Sequence, residues 1–508
     1  MNVNRDVTAN ATREAAGEAA RDPTRAAARA VVIGASMAGL LAARILSERF
    51  AEVWLLERDE LPDAAAARKG TPHAVQPHGL LARGREIIEE LFPGFTDALV
   101  AQGGLRGDVG QDVVFDADRS RMARQRIGSV GVLASRLAIE AELRRRVRRL
   151  PGVRLLTQVD VVEPAYDAAS RRVTGVRLVH RDGGTASADI ASADTASADT
   201  GAAQRSEAAT VAADLVVDCT GRGSRSLSWL DSWGYEPAFE ERVRVDLSYT
   251  SAYFVRDEAE CGDVAGVIST ATPSLPRPGV LLAQEPDREG RQRWVAAVGG
   301  YGGDHPDVSL DGMRTRARAI GGAELVAVTE RGRLLGPVMR YRFPHSQRRH
   351  YERMARFPAG YLVMGDALAS FNPIYGQGMT VAACEALELR AALRSGLDGL
   401  APRFFRAAAK VIDIPWQTAV GSDLALPMVP GPRPLPVRLV NAYIAQIYRA
   451  AATDPVVATA FLRVMHMLSK PPSLMVPGVM WRVYRAGGRA TGGVAAPATA
   501  PAGELQVR

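Results

Sequence analysis

The turn Gly34-Ala35-Ser36-Met37-Ala38-Gly39 follows an apolar run, AVVIG, and opens SMAGLLAARILSERF, whose apolar residues recur at helical spacing. A glycine-rich turn at a helix start presents unpaired backbone N–H groups and the positive end of the helix dipole, which together suit a pyrophosphate. Gly34 supplies the tight turn and Gly39 lets helix and strand pack closely. Ser36 stands where a middle glycine is usual, leaving a small side chain at the point of phosphate approach. The next apolar run, EVWLLERD, ends in Glu57 with Arg58 beside it. Glu57 lies 23 residues after Gly34, near the spacing of an acid that bonds a ribose diol. Strand, turn, helix, strand and acid in this order predict a dinucleotide-binding β-α-β unit. Gly34, Ser36, Met37, Ala38, Gly39, Glu57 and Arg58 are its candidate ligand-binding residues.

Two further apolar runs end in glycine-marked corners, Asp218-Cys219-Thr220-Gly221 and Gly365-Asp366-Ala367. With the first turn they resemble the three fingerprints of flavoprotein monooxygenases of the para-hydroxybenzoate hydroxylase superfamily, and the resemblance runs from Ala30 to about Leu400. It implies FAD as cofactor, with Asp218 and Gly221 in the second corner and Gly365 and Asp366 in the third. The Asp366 carboxylate would sit on the ribityl or ribose hydroxyls. After it comes Asn372-Pro373-Ile374-Tyr375-Gly376-Gln377-Gly378-Met379, which begins a helix. The resemblance puts Pro373 beside the isoalloxazine and the first N–H groups of that helix, through Gly376, Gln377, Gly378 and Met379, at the flavin pyrimidine edge. Pro373, Gly376 and Gly378 thereby become the flavin-positioning loop at the reacting centre, with no side-chain acid or base assigned. Arg136 in ASRLAIE matches the arginine that contacts the FAD phosphates, although a plain helix-surface arginine fits it as well.

Arg68-Lys69-Gly70-Thr71-Pro72-His73, followed by His78-Gly79-Leu80-Leu81, is similar to a segment of polyether-type polyene epoxidases and related actinobacterial monooxygenases. Those commonly carry Arg-Lys-Gly-x-Pro-Gln and then His-x-His. The match implies flavin contact by Arg68 and Lys69. Here His73 replaces the glutamine and Gln76 the first histidine, so His78 reads as a structural hydrogen-bond donor.

In that superfamily a flavin C4a-hydroperoxide passes one oxygen atom of O2 to an electron-rich carbon, and the protein orients the substrate and excludes water. The expected partners are O2 and a small apolar substrate such as a secondary metabolite, with alkene epoxidation favoured. Aromatic hydroxylation would call for a base that none of the seven histidines supplies in an obvious way. A geranylgeranyl-reductase-like enzyme would share the cofactor site. A halogenase-like one would need a Trp-x-Trp-x-Ile-Pro segment, where this chain has Trp229 and Trp233 in SWLDSW, and a dedicated lysine in a chain with only Lys69, Lys410 and Lys470. A flavin-binding module without turnover is the non-enzymatic alternative. No second nucleotide unit is evident, so electrons come from visiting NADPH or NADH or from a separate flavin reductase.

The elements that position these residues predict an α/β fold. A Rossmann-like FAD-binding domain is split between 29–235 and 346–400, with a low-complexity loop, SADIASADTASADT, within 185–210. Alternating segments such as RVDLSYTSAYFV and RWVAAVGGY place an antiparallel-sheet substrate domain at 236–345. A helix is expected over Leu133–Leu150, a C-terminal helical region at 401–485, a disordered leader at 1–28 and a disordered tail at 486–508. The 508 residues, 47% hydrophobic and 23% charged, exclude a disordered or fibrous chain. No apolar stretch is long enough to span a bilayer, and Cys219, Cys261 and Cys384 are too few and too scattered for a disulfide framework or a metal site, so the reading is cytoplasmic and metal-free. The net charge of +7 is almost all arginine, and the run Arg144–Arg149 closes a helix, so no nucleic-acid partner is expected. PMVPGP and VMHMLSKPPSLMVPGVMW read as core packing that, if opened, would make a lid or a weak membrane-surface contact.

Overall fold

The computed structural model describes residues 28–181, 208–257 and 261–491. Of the expected segments, the leader, the loop up to residue 207 and the chain beyond 491 lie outside the described residues.

Five parallel strands form the first sheet: β1 (Arg29–Ile33), β2 (Glu52–Leu56), β3 (Val153–Leu156), β4 (Leu215–Asp218) and β5 (Tyr361–Val363), in the order β5-β4-β1-β2-β3. The central strands are almost wholly apolar because a helix packs on them and the antiparallel strands Val159–Asp167 and Arg172–His180 also lie against the sheet. Helix α1 (Met37–Leu46) follows β1 and packs on α3 (Gly378–Leu393), which in turn packs on α4 (Leu400–Ala425). Helix α2 (Arg136–Val147) lies against α1. Leu40, Leu41, Ile45 and Trp54 are buried in this core together with Ala383, Ala386 and Leu389. Each fully buried Leu or Ile contributes about 1.5–3 kcal/mol relative to exposure.

Helix α2 is shorter than the periodicity of Leu133–Leu150 suggests. Leu133 ends a strand, Val130–Leu133, and the Ser135 hydroxyl accepts the Ala138 N–H at 3.1 Å, which fixes the helix start.

The second sheet has eight strands, in the order Ala369–Ser370, Leu334–Arg349, Glu240–Val255, Arg293–Tyr301, Gly279–Gln284, Gly266–Thr270, Val113–Ala117 and Ser120–Arg121. It therefore recruits strands from both sides of 236–345. Two register shifts along Glu240–Val255 bend the long central ribbon. Helices Leu310–Ile320 and Ala323–Arg331 cover one face, burying Met313 and Leu325 against Leu281 and Trp294.

Three further helices, α5 (Leu435–Ala451), α6 (Pro455–Met465) and α7 (Pro477–Thr491), build a third core over Val109, Met122 and Ile127. Asp454 caps α6, accepting from Val456 N at 2.9 Å and Val457 N at 3.3 Å, with Pro455 at the first helical position. Helix α7 continues to Thr491, so residues 486–491 are helical where a disordered tail was expected. Packing on α5 and α6 holds this helix despite its Gly487-Gly488 pair.

Candidate functional site

The three glycine-marked corners converge on one cavity of about 850 Å3. Gly34 adopts φ +98°, and a Cβ there would lie 2.7 Å from the Cys219 carbonyl oxygen; at Gly39 it would lie 1.8 Å from the Gly34 carbonyl oxygen. Only glycine allows this approach of turn to helix and of first corner to second. Gly365, at φ +71°, brings the third corner against α1, where a Cβ would meet Ala38 Cβ at 2.5 Å. Gly221 faces Asp366, and Gly378 stands over Asp366 Oδ1. Ser36, Met37, Ala38, Arg58, Gly376, Gln377 and Met379 also line the cavity.

Charges are paired at the end of the cavity near β2. Glu57 accepts the Ala35 N–H at 2.9 Å and the Asp59 N–H at 3.1 Å, and it pairs with Arg68 at 3.0 Å. Arg68 also meets Glu140 at 2.7 Å and Asp59 at 3.4 Å, and these carboxylates raise its pKa against the cost of burial. Arg68 thus lines the cavity while tying the segment after β2 to α2. Arg136 stands over the start of α1, donating to Ser36 Oγ at 3.1 Å, with His78 Nε2 3.5 Å from its guanidinium. His78 Nδ1 donates to the Gln76 carbonyl at 2.8 Å, so Nε2 is the acceptor. Burial and the Arg136 charge hold His73 down to about 2 and His78 to about 3, which leaves both rings neutral at pH 7.

Three sequence-derived candidates take other places. The buried Asp218 carboxylate accepts Thr220 N and Oγ1, Ser224 Oγ and Tyr361 OH, so it shapes the second corner from behind. Lys69 points to solvent and does not line the cavity, because its neighbour Arg68 takes the inward position. Gly39 acts through packing alone.

The third corner rests on residues with weaker sequence signals. Glu385, seven residues into α3 and fully buried, accepts the Gly365 N–H at 2.7 Å; burial pushes it up to about 8. Asp366 itself is raised by burial, with Arg136 and Arg222 acting in the opposite direction. Arg222, in the second corner, crosses to the third: it donates to Ser370 Oγ at 2.7 Å and to the His345 carbonyl at 3.0 Å and lies over the Phe343 ring. Below Pro373, Asn372 Nδ2 donates to Asp423 Oδ1 at 2.8 Å, and Tyr375 OH donates to the same oxygen at 2.9 Å. Asn372 Nδ2 also donates to Tyr301 OH at 3.1 Å. Burial raises Asp423 to about 7. This hub on α4 holds the Asn372–Gly376 loop from underneath. Nothing in the spacing of Glu385 or Asp423 sets them apart from Glu388 and Asp413 on the same helices.

Across that loop lies a second, apolar chamber of about 160 Å3. Gly79, Tyr249, Pro373 and Gly376 belong to both walls. Leu81, Phe115, Leu282, Phe461 and Met465 are among its apolar lining. Among the described residues its lining contains no lysine or arginine, and its one carboxylate, Asp116, pairs with Arg121 at 3.1 Å. His466 at the end of α6 accepts the Ala82 N–H at Nδ1, 3.3 Å away, which puts the ring proton on Nε2; burial lowers its pKa to about 4. Tyr448 bonds Thr270, and burial raises its pKa to about 12. Neither His466 nor Tyr448 stood out by spacing.

The cavity fits FAD on three counts. Its volume falls within the range of about 300–1,000 Å3 for cofactor sites. Its glycines leave room where a backbone must approach a phosphate. Gln377 Oε1, buried and lining the cavity, has no hydrogen-bond partner among the described residues.

The architecture is that of flavoproteins with an FAD-binding Rossmann-like domain, an inserted antiparallel sheet and C-terminal helices. A flavoprotein/dehydrogenase from Cytophaga hutchinsonii superposes with a TM-score of 0.60 at 14% identity, covering 91% of this chain and 99% of that one. The flavin-dependent brominase Bmp2 gives 0.59 at 14% identity, over 91% and 98%. The p-nitrophenol 4-monooxygenase PnpA of Pseudomonas putida DLL-E4 gives 0.57 at 16% identity, over 88% and 100%. No protein-family model matches the chain. It is 34% identical over 463 residues to Protein Rv3254 of Mycobacterium tuberculosis, covering 89% of this chain and 91% of that one, and it belongs to the family of that protein.

Proposed function

We propose that this chain is an FAD-dependent monooxygenase acting on an uncharged, apolar small molecule, with transfer of one oxygen atom of O2 to an alkene as the favoured reaction. One observation carries the reading: a polar cavity shaped by three glycine-marked corners meets an apolar chamber across the Pro373–Gly376 loop.

FAD, when bound, supplies the two-electron chemistry that activates O2. The chain's residues hold and enclose it. The N–H groups at the start of α1, with Arg136 above them, would hold the pyrophosphate. Asp366 would take the hydroxyls of the ribityl or ribose chain. The N–H groups that open α3, at Gly378 and Met379, would face the ring edge where negative charge collects on reduction. Arg68 and Glu57 fix the loops around the adenosine end, and Asp423 keeps Pro373 and Gly376 at the boundary with the chamber.

The chamber supports an apolar, uncharged substrate. An ionised phenol or a carboxylic acid would find no unpaired counter-ion among the lining residues, where the one carboxylate, Asp116, is held by Arg121. An apolar segment gains on the order of 25 cal/mol per Å2 of surface buried. At about 160 Å3 the chamber holds roughly a benzene-sized segment, which suits the reacting end of a larger molecule. The Nε2–H of neutral His466 would orient one substrate oxygen. A lysine-dependent halogenation is disfavoured, since Lys69, Lys410 and Lys470 are all exposed and none lines either cavity. NADPH, NADH or a separate flavin reductase would deliver the electrons.

The test is to incubate the purified yellow protein with NADPH, with and without a flavin reductase, and apolar alkenes or neutral phenols under 18O2. Label in an epoxide supports the reading, and label in a ring hydroxyl moves it to aromatic hydroxylation. Reduction of substrate without oxygen uptake would overturn it in favour of a prenyl-reductase type of chemistry.

A further inference from the structure

Charge and exposed apolar surface coincide at one end of the molecule. Residues 426–491 contain eight lysines and arginines against the single acid Asp454, a net +7. The other described residues, more than five times as many, sum to +6, so net positive charge per residue is about sixfold higher in this stretch. Ten of the fourteen large hydrophobic side chains exposed among the described residues fall in the same stretch.

These residues lie on packed helices. Helix α5 buries Ile447, Ala450 and Ala451, while Leu435 and Leu439 are 63% and 61% exposed. Helix α7 packs on α5 and buries Val479 and Val483, while Trp481 and Tyr484 are 62% and 73% exposed with their ring centroids 6.1 Å apart. Arg438 on α5 and Arg485 on α7 are exposed on the same helices, and Lys470 is exposed on the segment before α7. Buried aliphatic residues on one side, with Leu, Met, Trp and Tyr beside arginines on the other, are the composition of a helix that lies in a lipid interface. No described helix is long and apolar enough to cross a membrane.

We propose that α5 and α7 dock this chain onto an anionic lipid bilayer, lying in the headgroup layer with Leu435, Leu439, Trp481 and Tyr484 inserted and the arginines on acidic phosphates. A second copy of the chain is a poor occupant, because a two-fold contact would set one +7 surface against another. A nucleic acid would satisfy the arginines but leave the leucines and methionines in water. Helix α5 also walls the apolar chamber through Tyr448, beside Phe461 and Met465 of α6, so docking brings that wall toward the bilayer. The inference stands on surface composition and is independent of the reaction proposed above.

The test is flotation of the full chain with vesicles of phosphatidylcholine alone and of phosphatidylcholine mixed with phosphatidylglycerol, at about 0.1 M and about 1 M salt. Binding to the mixed vesicles that weakens at high salt is expected. The double variant Arg438→Gln/Arg485→Gln should lower partitioning about 25-fold, from about 1 kcal/mol per cation near an anionic surface. Trp481→Ser/Tyr484→Ser should weaken binding at both salt concentrations. An unchanged melting temperature in each variant shows that the fold is kept. Equal binding to both vesicle types, no binding to either, or a dimer in light scattering that Trp481→Ser dissociates would each overturn the proposal.

Discussion

The two cavities share the Pro373–Gly376 loop and otherwise differ in kind. The larger is ringed by arginines and carboxylates, of which Arg68 is paired locally with Glu57, Asp59 and Glu140. The smaller has one carboxylate, one neutral histidine and an apolar lining. A rigid, polar, backbone-built site suits a ligand of fixed shape and charge. A side-chain-built apolar site leaves specificity to volume and to one or two hydrogen bonds. The contrast explains why these residues speak more clearly to the cofactor than to the substrate.

The largest expected effect is on the glycine scaffold. Gly39→Val puts side-chain atoms where even a Cβ overlaps the Gly34 carbonyl, at a cost of about 3 kcal/mol or more. Loss of flavin absorbance and a lower melting temperature are expected, and a fully flavinated, equally stable variant would break the account of the first corner. Next comes Asp366→Ala, which should weaken FAD retention on gel filtration by about 10- to 100-fold, the loss of one or two charge-assisted hydrogen bonds, while the apoprotein keeps its fold.

The loop between the cavities gives a pH signature. Asp423 is raised to about 7 from the usual aspartate value near 3.8, so its folded form holds a proton that the unfolded chain releases. Its stabilising contribution is complete below about pH 4 and is lost as pH rises through 7. Asp423→Asn should abolish that share, up to about 4 kcal/mol for that rise in pKa, and flatten the fall of melting temperature between about pH 5 and 7. An unchanged slope would mean that the hub does not titrate. Glu385 contributes in the same direction up to about pH 8 and limits the flattening to part of the slope.

The smallest effect belongs to the chamber. His466→Phe should raise KM for a substrate bearing a hydrogen-bond acceptor by about tenfold and leave its all-hydrocarbon analogue nearly unaffected. Equal changes for both substrates would show that the ring acts by shape alone.

The difference between the cavities also sets how much the sequence reveals. Gly34, Gly221, Gly365 and Gly376 mark backbone geometry that a few consecutive residues encode, and the structure gathers all four around one cavity. The chamber is completed by segments near 113, 280, 298 and 461, each of which reads as ordinary core. Its neutral histidine becomes visible only when α6 lands on Ala82. Asp218 misled because a strand-end acid can face the ligand or brace the turn behind it, and only Thr220, Ser224 and Tyr361 decide between the two. The eight-stranded sheet exceeded 236–345 because Val113–Ala117 pairs in parallel with Gly266–Thr270, a partner some 150 residues away.

A helical cap whose net positive charge per residue is about sixfold that of the other described residues makes the molecule electrically lopsided. In the field of an acidic leaflet such an object rotates before it lands, cap first. Orientation is then settled at long range by low ionic strength and a few arginines, whereas diffusion of an uncharged substrate into the chamber feels no such torque. Salt would therefore alter where this protein works and leave the intrinsic rate of its chemistry unchanged.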